Sequence, residues 1–421
     1  MTFGKKTERH RFRPLQRYLL DVDKLEISFV RRMADIPSAE WDALAAPYGN
    51  PLLGWGFLAL LEESLSIRPE TGWTPTHALA RQDGELVAAA PFYVKTHSWG
   101  EFVFDFEFAE IARRAKAEWY PKLVGMVPVT PAPAWRVLVR AASRELPGEE
   151  GRISLAVIDA ASRAARKAGL GGAHILWPED ETAALLRARG SEWAAWDHQA
   201  FLWTDDGYGD FGGYLDSFSK NMRRNVRRER DAVAAAGVTT RFVGSREAAA
   251  KPAILAAMAD LYESHNDKFG PWAAKFLERD FFLRLPEFMP EGWALSAAFE
   301  SARAEAAGEP VALAFLLEGK DRLYGRFWGA RREVPGLHFE LCYYLPMEHA
   351  LAKGIGSFDP GMGSPHKARR GFRSVMAPSF HQPFDRRLAD LMNRVLPGIN
   401  AEERSQAAAL DEEMPFKRSP G

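Results

Sequence analysis

The chain has 421 residues, of which 47% are hydrophobic and 26% are charged. The length exceeds an average single domain and the composition is typical of folded proteins, so we predict two domains with ample core and exclude a low-complexity chain. Lysine and arginine (55) nearly balance aspartate and glutamate (56). This balance disfavours a global field for nucleic acid or membranes and leaves anion recognition to local clusters.

Cysteine content and the N-terminal sequence predict the compartment. The single cysteine, Cys342, excludes an intramolecular disulfide framework and a cysteine-based zinc site, and it is typical of a reducing compartment. The basic N-terminal segment is followed by only three apolar residues at 18–20, too few for a signal-peptide core. No stretch reaches the roughly 18 apolar residues of a membrane helix. We therefore expect a cytoplasmic protein without a membrane span.

A hairpin and an acidic strand are predicted early in the chain. Apolar runs at 77–80 and 86–94 flank a turn at 83–84, which predicts a β-hairpin. Further on, Asp105 and Glu107 alternate with phenylalanines. On a strand these carboxylates would point the same way and hold a cationic amine or a second substrate. Alternatively, they form the outward face of an edge strand.

The next segment predicts a loop, a helix and a strand. The proline-spaced run at 128–133 is typical of a rigid loop, either lining a groove or forming ordinary surface. An alanine-rich helical pattern at 154–167 ends at Gly169 and precedes a strand-like run at 173–177.

A basic amphipathic helix is predicted within residues 217–231. At helical spacing Met222, Val226 and Val233 share one face. The opposite face carries Lys220, Arg223, Arg224, Arg227 and Arg228. Like charges on one face repel unless an anion compensates them, so Arg223 and Arg227 are candidate substrate ligands. Candidate partners are a carrier phosphopantetheine, a tRNA acceptor stem or a pyrophosphate-linked glycan precursor; the alternative is a solvated face.

The second half repeats the order of the first. Apolar runs at 295–299 and 311–317 correspond to the hairpin, and a helical pattern at 338–353 precedes a strand-like run at 355–358. This order predicts a duplicated strand and helix unit, with two similar α/β domains side by side. The predicted divisions are a basic N-terminal segment (1–24), two domains (25–196 and 197–385) and a C-terminal helix with a polar tail (386–421).

Seven separated segments carry a family resemblance. They are NPLLGWGFLALLEES (50–64), SWGEFVFDFEFA (98–109), WYPKLVGMVPVTP (119–131), SFSKNMRRNVRRERD (217–231), LYGRFWG (323–329), HFELCYY (338–344) and HKARRGF (366–372). In this order they resemble the bacterial FemAB-like family of predicted N-acyltransferases, associated with peptidoglycan biosynthesis or recognition. The resemblance implies an α/β fold with two GNAT-like (acyl-CoA N-acyltransferase) domains in tandem, each a mixed, mostly antiparallel sheet flanked by helices.

The resemblance also implies where an acyl donor binds. In GNAT domains the carrier's pyrophosphate binds backbone N–H groups in a turn that opens a helix. By position this turn is 329–336, which contains Gly336 and adds Arg331 and Arg332; Arg326 on the preceding strand is assigned to the same set. The expected donor is an acyl-CoA or acyl carrier protein thioester, with no metal. The alternative is a solvated basic turn.

A second basic loop follows the next predicted strand. Glycines and prolines around Asp359 suit a loop whose backbone approaches a ligand closely. Lys367 and Arg370 can hold a phosphate or a carboxylate, with His366 in the substrate site. Relatives usually carry glycine and glutamate before the His-Lys pair, where this chain has serine and proline at 364–365. This departure weakens a transfer of acid or base function to the loop.

The helix within this segment carries the catalytic candidates His338, Glu340 and Tyr343. A carboxylate or imidazole here can take the proton from an attacking amine if its pKa lies near neutrality. Alternatively, Glu340 only complements the helix N-terminus. We expect Cys342 to be a small core residue. Pro346 removes a backbone donor and predicts a kink.

We therefore predict an N-acyltransferase that moves an acyl group directly from a thioester carrier to an amine. The acceptor is a lysine-like side chain of a peptide or a peptidoglycan-type molecule. The alternatives are an aminoacyl-tRNA-dependent aminoacyltransferase, which the basic helix favours, and a non-catalytic peptide or glycan recognition module. The sequence has no Walker loop, dinucleotide fingerprint or metal-spaced histidine pair, which disfavours nucleotide hydrolysis, redox and metal chemistry.

Overall fold

The computed structural model describes residues 18–19, 25–270, 273–363 and 365–417. Apart from 18–19, the predicted basic segment 1–24 lies outside the described residues. So does Ser364, one of the two positions at which the sequence departs from its relatives before the His-Lys pair. The strands are β1 (Tyr18–Leu19), β2 (Glu26–Val30), β3 (Trp73–Pro75), β4 (His77–Gln82), β5 (Glu85–Ala90), β6 (Phe92–Lys95), β7 (Lys122–Gly125), β8 (Leu138–Val139), β9 (Gly172–Leu176), β10 (Ala194–Thr204), β11 (Thr239–Gly244), β12 (Trp293–Phe299), β13 (Ala312–Glu318), β14 (Arg322–Ala330), β15 (Ser357–Asp359) and β16 (Arg373–Pro383).

Helices cover both faces of the sheets. The α-helical segments are α1 (Ser38–Ala45), α2 (Trp55–Glu63), α3 (Phe106–Arg114), α4 (Ala141–Arg144), α5 (Glu149–Lys167), α6 (Asp180–Arg187), α7 (Phe211–Ser217), α8 (Lys220–Ala235), α9 (Ser245–Ala249), α10 (Pro252–Asp267), α11 (Arg279–Leu283), α12 (Leu285–Phe288), α13 (Ala302–Ala307), α14 (Leu337–Phe339), α15 (Leu345–Lys353) and α16 (Arg386–Glu412).

The two halves repeat one strand order, which confirms the predicted duplication. In the first half β6 pairs antiparallel with β7, and β7 pairs parallel with β9. In the second half β13 pairs antiparallel with β14, and β14 pairs parallel with β15. A helical segment joins the strands of each parallel pair, α5 in the first and α14 to α15 in the second. The fold is therefore α/β, with two GNAT-like domains in tandem.

The predicted hairpin is present, but its second strand is divided. Asp83 and Gly84 form the turn with positive φ angles of 51° and 87°, the conformation that the tight hairpin turn requires. The apolar run at 86–94 forms β5 and β6, which lie in different sheets. Pro91 separates them because it lacks a backbone N–H for the ladder, and its carbonyl accepts the indole N–H of Trp135 at 2.8 Å.

Strand exchange joins the two halves into one sheet of eleven described strands. β10 follows the first half in the chain, yet its end pairs with β15 of the second half. Conversely, β16 from the second half lies between β10 and β9. The boundary predicted between residues 196 and 197 falls within β10. The halves are therefore linked by backbone hydrogen bonds as well as by the chain.

The exchanged strands carry a buried chain of polar side chains. His174 Nδ1 lies 2.8 Å from His381 Nδ1. The Nε2 atoms of His381 and His198 each lie 2.7 Å from Ser379 Oγ. Burial lowers the pKa of His198 to about 4 and that of His381 to about 3, and it holds the pKa of His174 well below its usual value. All three imidazoles are therefore neutral in the folded protein near neutral pH.

These histidines make the stability depend on pH. Below their ordinary pKa of about 6.5, the unfolded chain binds protons that the folded protein excludes. The free energy of unfolding therefore decreases as the pH is lowered. Glu101 has a pKa raised to about 7, so it binds a proton more readily in the folded protein and opposes this trend. It is one group against three histidines. The variant His198→Gln can still bond Ser379 but lacks one of these titrating groups. We expect its free energy of unfolding, relative to that of the wild type, to be about 1–2 kcal/mol higher at pH 5 than at pH 7. Urea unfolding at both pH values tests this, and an unchanged difference would contradict it.

Candidate active site

A cavity of about 500 Å³ lies where β14 and β15 diverge. These parallel strands pair only from Arg322 to Tyr324. Beyond that point β14 continues along β13, and the chain after β15 turns away through residues 360–363. The first half closes one side with Phe102, Val129 and Pro131. Two residues of the proline-spaced run at 128–133 therefore line this groove, as one of the two sequence interpretations predicted.

The corresponding opening in the first half is closed. Beyond the paired part of β7 and β9, the backbone N–H groups of Ala134 and Trp135 both donate to the carbonyl of Trp177 at 3.0 Å. A parallel bridge joins Trp135 to Pro178, and a Cβ at Gly125 would lie 2.7 Å from the indole of Trp135. This indole fills the space between β7 and β9. Of the two corresponding clefts, the one between β14 and β15 in the second half is therefore the open one.

His338, Tyr343 and His366 form a cluster on the cavity wall. The Tyr343 hydroxyl lies 3.1 Å from His366 Nε2, and the His338 ring centroid is 5.5 Å from that of Tyr343 and 6.1 Å from that of His366. Burial, aided by neighbouring positive charges, lowers the pKa of His338 to about 4. Burial raises the pKa of Tyr343. The cavity thus holds a neutral imidazole that can accept a proton and a phenol that can donate one.

A π-helical turn places these groups. Residues Glu340–Tyr344 form it between α14 and α15, and the backbone N–H of Leu345 donates to the carbonyl of Glu340. The kink predicted at Pro346 takes this form, because the wider turn accommodates a residue without a backbone donor. Cys342 lines the cavity and packs against two core clusters. Burial raises the pKa of its thiol, so it remains protonated, in keeping with the predicted core role.

Arg326 and Lys367 bring charge to the cavity wall. The Arg326 side chain is only 4% exposed, and its Nη1 donates to Asp359 Oδ1 at 3.2 Å. Lys367 Nζ donates to the carbonyls of Pro360, Gly361 and Met362 at 3.3, 2.7 and 2.8 Å. Burial lowers the pKa of Lys367 to about 8. Lys367 therefore holds the loop after β15 in place with its own donors.

Comparison with protein families decides the relationship. The FemAB-like family, described as peptidoglycan biosynthesis/recognition, matches residues 32–418. The chain belongs to the FemAB-like family. A comparison with curated proteins gives no significant match.

Among the solved structures similar to this FemAB-like protein, one reaches a TM-score of 0.50 and supports the fold. The C-terminal domain of a protein assigned as a lysylphosphatidylglycerol synthetase, from Agrobacterium fabrum, matches with a TM-score of 0.50 and 11% identity, over 85% of this chain and 95% of its own. FemX matches with a TM-score of 0.48 and 13% identity, over 87% of this chain and 100% of its own. L-PGS from Bacillus licheniformis matches with a TM-score of 0.47 and 12% identity, over 89% and 98%. At such identities the likeness concerns the fold alone.

In the described part of the chain, no helix is long and apolar enough to cross a membrane. No group of three or more histidine, cysteine, aspartate or glutamate side chains in this part is placed to hold a metal ion.

Two predicted site residues of the FemAB-like protein instead bind the basic helix α8. Glu340 is 3% exposed, and its carboxylate accepts from Arg230 at 2.9–3.0 Å. Arg370 donates to Glu229 at 2.8 Å. Neither Glu340 nor Arg370 lines the cavity. The geometry therefore gives both a structural contact and offers no support for Glu340 as the base or Arg370 as a donor ligand.

The turn predicted to hold the donor pyrophosphate lies outside the cavity. Arg331 donates to the carbonyl of Pro310 at 3.1 Å, and Arg332 donates to Glu300 at 2.7 Å. A Cβ at Gly336 would lie 2.5 Å from the carbonyl oxygen of Glu229. The turn thus packs against α8, and its role in holding a donor stays a prediction.

The predicted acidic strand is wrong. Glu107 is an exposed residue of α3, and Asp105 directly precedes that helix and is fully buried. Lys122 Nζ lies 2.5 Å from Asp105 Oδ2 and 2.7 Å from Glu101 Oε2. Alternating phenylalanines mimic a strand, but helical spacing buries Phe108 and exposes Phe106. Neither carboxylate lines the cavity.

The predicted basic helix is confirmed as α8. Val226 and Val233 are buried. Arg223 is paired with Asp216 at 2.8 Å, whereas Arg227 is exposed. The outward face is therefore cationic and reachable from solvent.

Several lining residues were not singled out from the sequence. They are Tyr262, His265 and Phe269 near the end of α10, Trp328 on β14 and Met362 in the loop after β15. Each has the residue type of an ordinary core or surface position, so only packing shows its role.

Proposed function

We propose that this FemAB-like protein acylates an amine by direct transfer inside the cavity. The observation that carries the proposal is the cluster of neutral His338 and protonated Tyr343, hydrogen-bonded to His366, on the wall of the open cleft. Such a cluster supplies both proton transfers that aminolysis of an ester or thioester requires. Membership of a family described by peptidoglycan biosynthesis and recognition supports a peptide or peptidoglycan-type acceptor.

The proposed reaction forms a C–N bond and breaks a C–S or C–O bond. The amine nitrogen attacks the acyl carbonyl carbon, and His338 accepts the proton that the nitrogen loses. Tyr343 donates its proton to the departing sulfur or oxygen and regains one through His366, which takes a proton from solvent. His338 releases the amine's proton to solvent, so all three groups return to their starting states. Cys342 remains a thiol, so no covalent intermediate forms on it.

The donor is proposed as a thioester carrier, acyl-CoA or acyl carrier protein. Aminoacyl-tRNA is the second candidate, because the exposed Arg224, Arg227 and Arg228 on α8 form a surface suited to a polyanion. The two donors differ in charge, so ionic strength separates them.

Donor classes can be compared by product formation with lysine-containing peptides. If tRNA is the donor, we expect Arg227→Ala/Arg228→Ala to lower kcat/KM about tenfold and to flatten its decline with salt. The kcat/KM for a small acyl-CoA should change little with the double substitution or with salt. The matched control is Arg331→Ala/Arg332→Ala, which removes two exposed arginines outside the cavity. Binding of the peptides without product from any donor would contradict the proposal and favour a recognition module.

A further inference from the structure

Arg326 has an unused pair of donors at the cavity. Its Nη1 is occupied by Asp359 and by the carbonyl of Gly325 at 2.8 Å. Among the described residues, neither its Nε nor its Nη2 has a hydrogen-bond partner, although both atoms are buried. Two buried nitrogen donors without partners on a charged side chain are costly. An acceptor with two oxygens would satisfy both, because Nε–H and Nη2–H form one edge of the planar guanidinium.

The other cations near the cavity already have acceptors. Lys367 uses its ammonium group on three loop carbonyls. Arg370 donates to Glu229 and to the carbonyl of His366. Its buried Nε has no partner among the described residues, but Arg370 does not line the cavity. The Nε and Nη2 edge of Arg326 therefore remains for a ligand.

Charge indicates a monoanion. Arg326 and Lys367 contribute two positive charges, and Asp359, paired with Arg326, contributes one negative charge. One net positive charge remains, which a carboxylate balances, whereas a pyrophosphate would leave excess negative charge beside Asp359 in a buried site. A carboxylate also matches the spacing of the two donors on one guanidinium edge.

We propose that the acceptor is an amino acid, or an amino-acid residue with a free carboxylate and a side-chain amine, and that its carboxylate binds Arg326. Arg326, His338 and His366 line the same cavity of about 500 Å³, so the carboxylate and the amine of one molecule can contact both sites. This inference rests on the proposed amine acylation and names its acceptor class. It also moves Arg326 from the expected donor set to the acceptor.

Binding of matched ligands tests the proposal without turnover. The probes are L-lysine, D-lysine, tripeptides ending in either, the C-terminal amides of all four, and inorganic pyrophosphate, titrated calorimetrically into the full chain. We expect at least one free acid to bind ten or more times tighter than its amide. Arg326→Gln should abolish this preference, Arg326→Lys should restore it only in part, and the exposed-site control Arg332→Gln should keep it.

The outcomes separate this inference from the proposed function. Four results would each overturn the carboxylate site. They are equal affinity for acids and amides, no binding of any acid, binding of pyrophosphate but of no acid, and a preference for acids that survives in a folded Arg326→Gln protein. Acylation of amides as fast as acids would retain the transferase and reject the inference. Carboxylate-dependent binding without transfer from any donor would keep the site and reject the transferase.

Discussion

Replacing His338 with glutamine is expected to lower kcat for amine acylation by about 100-fold or more, the usual contribution of a general base. Because its pKa is lowered to about 4, the His338 imidazole is unprotonated across the physiological range and available to accept a proton. It is a weaker base than an ordinary histidine, and the proton it takes is made acidic by the positive charge that develops on the attacking nitrogen. Glutamine has a similar polar character but cannot accept that proton. Steady-state kinetics with the donor class that gives product in the peptide assay measures the effect. The KM for the acceptor should change little because its carboxylate is assigned to Arg326.

The matched control for His338 lies on α15, which continues from α14 through the π-helical turn, and it is outside the cavity. His349 contacts Glu318 at 2.7 Å and does not line the cavity. His349→Gln should retain kcat within a few-fold. If His338→Gln is folded by circular dichroism and keeps kcat within threefold of wild type, His338 is not the base.

Replacing Lys122 with methionine is expected to lower the free energy of unfolding by about 3–5 kcal/mol. The side chains of Lys122, Glu101 and Asp105 are all 0% exposed, so the substitution leaves two carboxylates buried without their cation. Although burial alone would raise it, the ion pair with Lys122 holds the pKa of Asp105 below its usual value. Urea unfolding monitored by tryptophan fluorescence measures the loss.

Neutralising the carboxylates separates charge from packing. Lys122→Met combined with Glu101→Gln and Asp105→Asn should recover part of the stability, because no carboxylate is then buried without Lys122. Lys353→Met is the surface control, since that lysine side chain is 59% exposed, and it should change stability by less than about 0.5 kcal/mol. A loss below 1 kcal/mol for Lys122→Met would show that the cluster is not ionised in the folded protein.

Local patterns predicted most of the fold correctly. The hairpin turn at Asp83 and Gly84, the helix α8 and the order of strands in β12 to β15 each depend on spacing within a short segment. Hydrophobic periodicity and turn residues record such spacing directly. The same local reasoning was wrong at Asp105 and Glu107, because alternating phenylalanines fit two periods over so few residues.

The candidate site was predicted only in part. His338, Tyr343, His366, Arg326 and Lys367 do line one cavity, since they come from adjoining ends of β14 and β15 and from the helix between them. Other residues were assigned by position along the chain, and position does not specify which way a side chain points.

The sequence by itself determined the duplicated α/β order, the family and the segment in which the cavity lies, because these depend on local periodicity and motif order. Tertiary structure decided which of two similar clefts is open, since Trp135 fills one of them. It also decided that Glu340 and Arg370 bind α8, through partners 110 and 141 residues away in the chain. Burial and charge pairing at such distances arise only when the chain has folded.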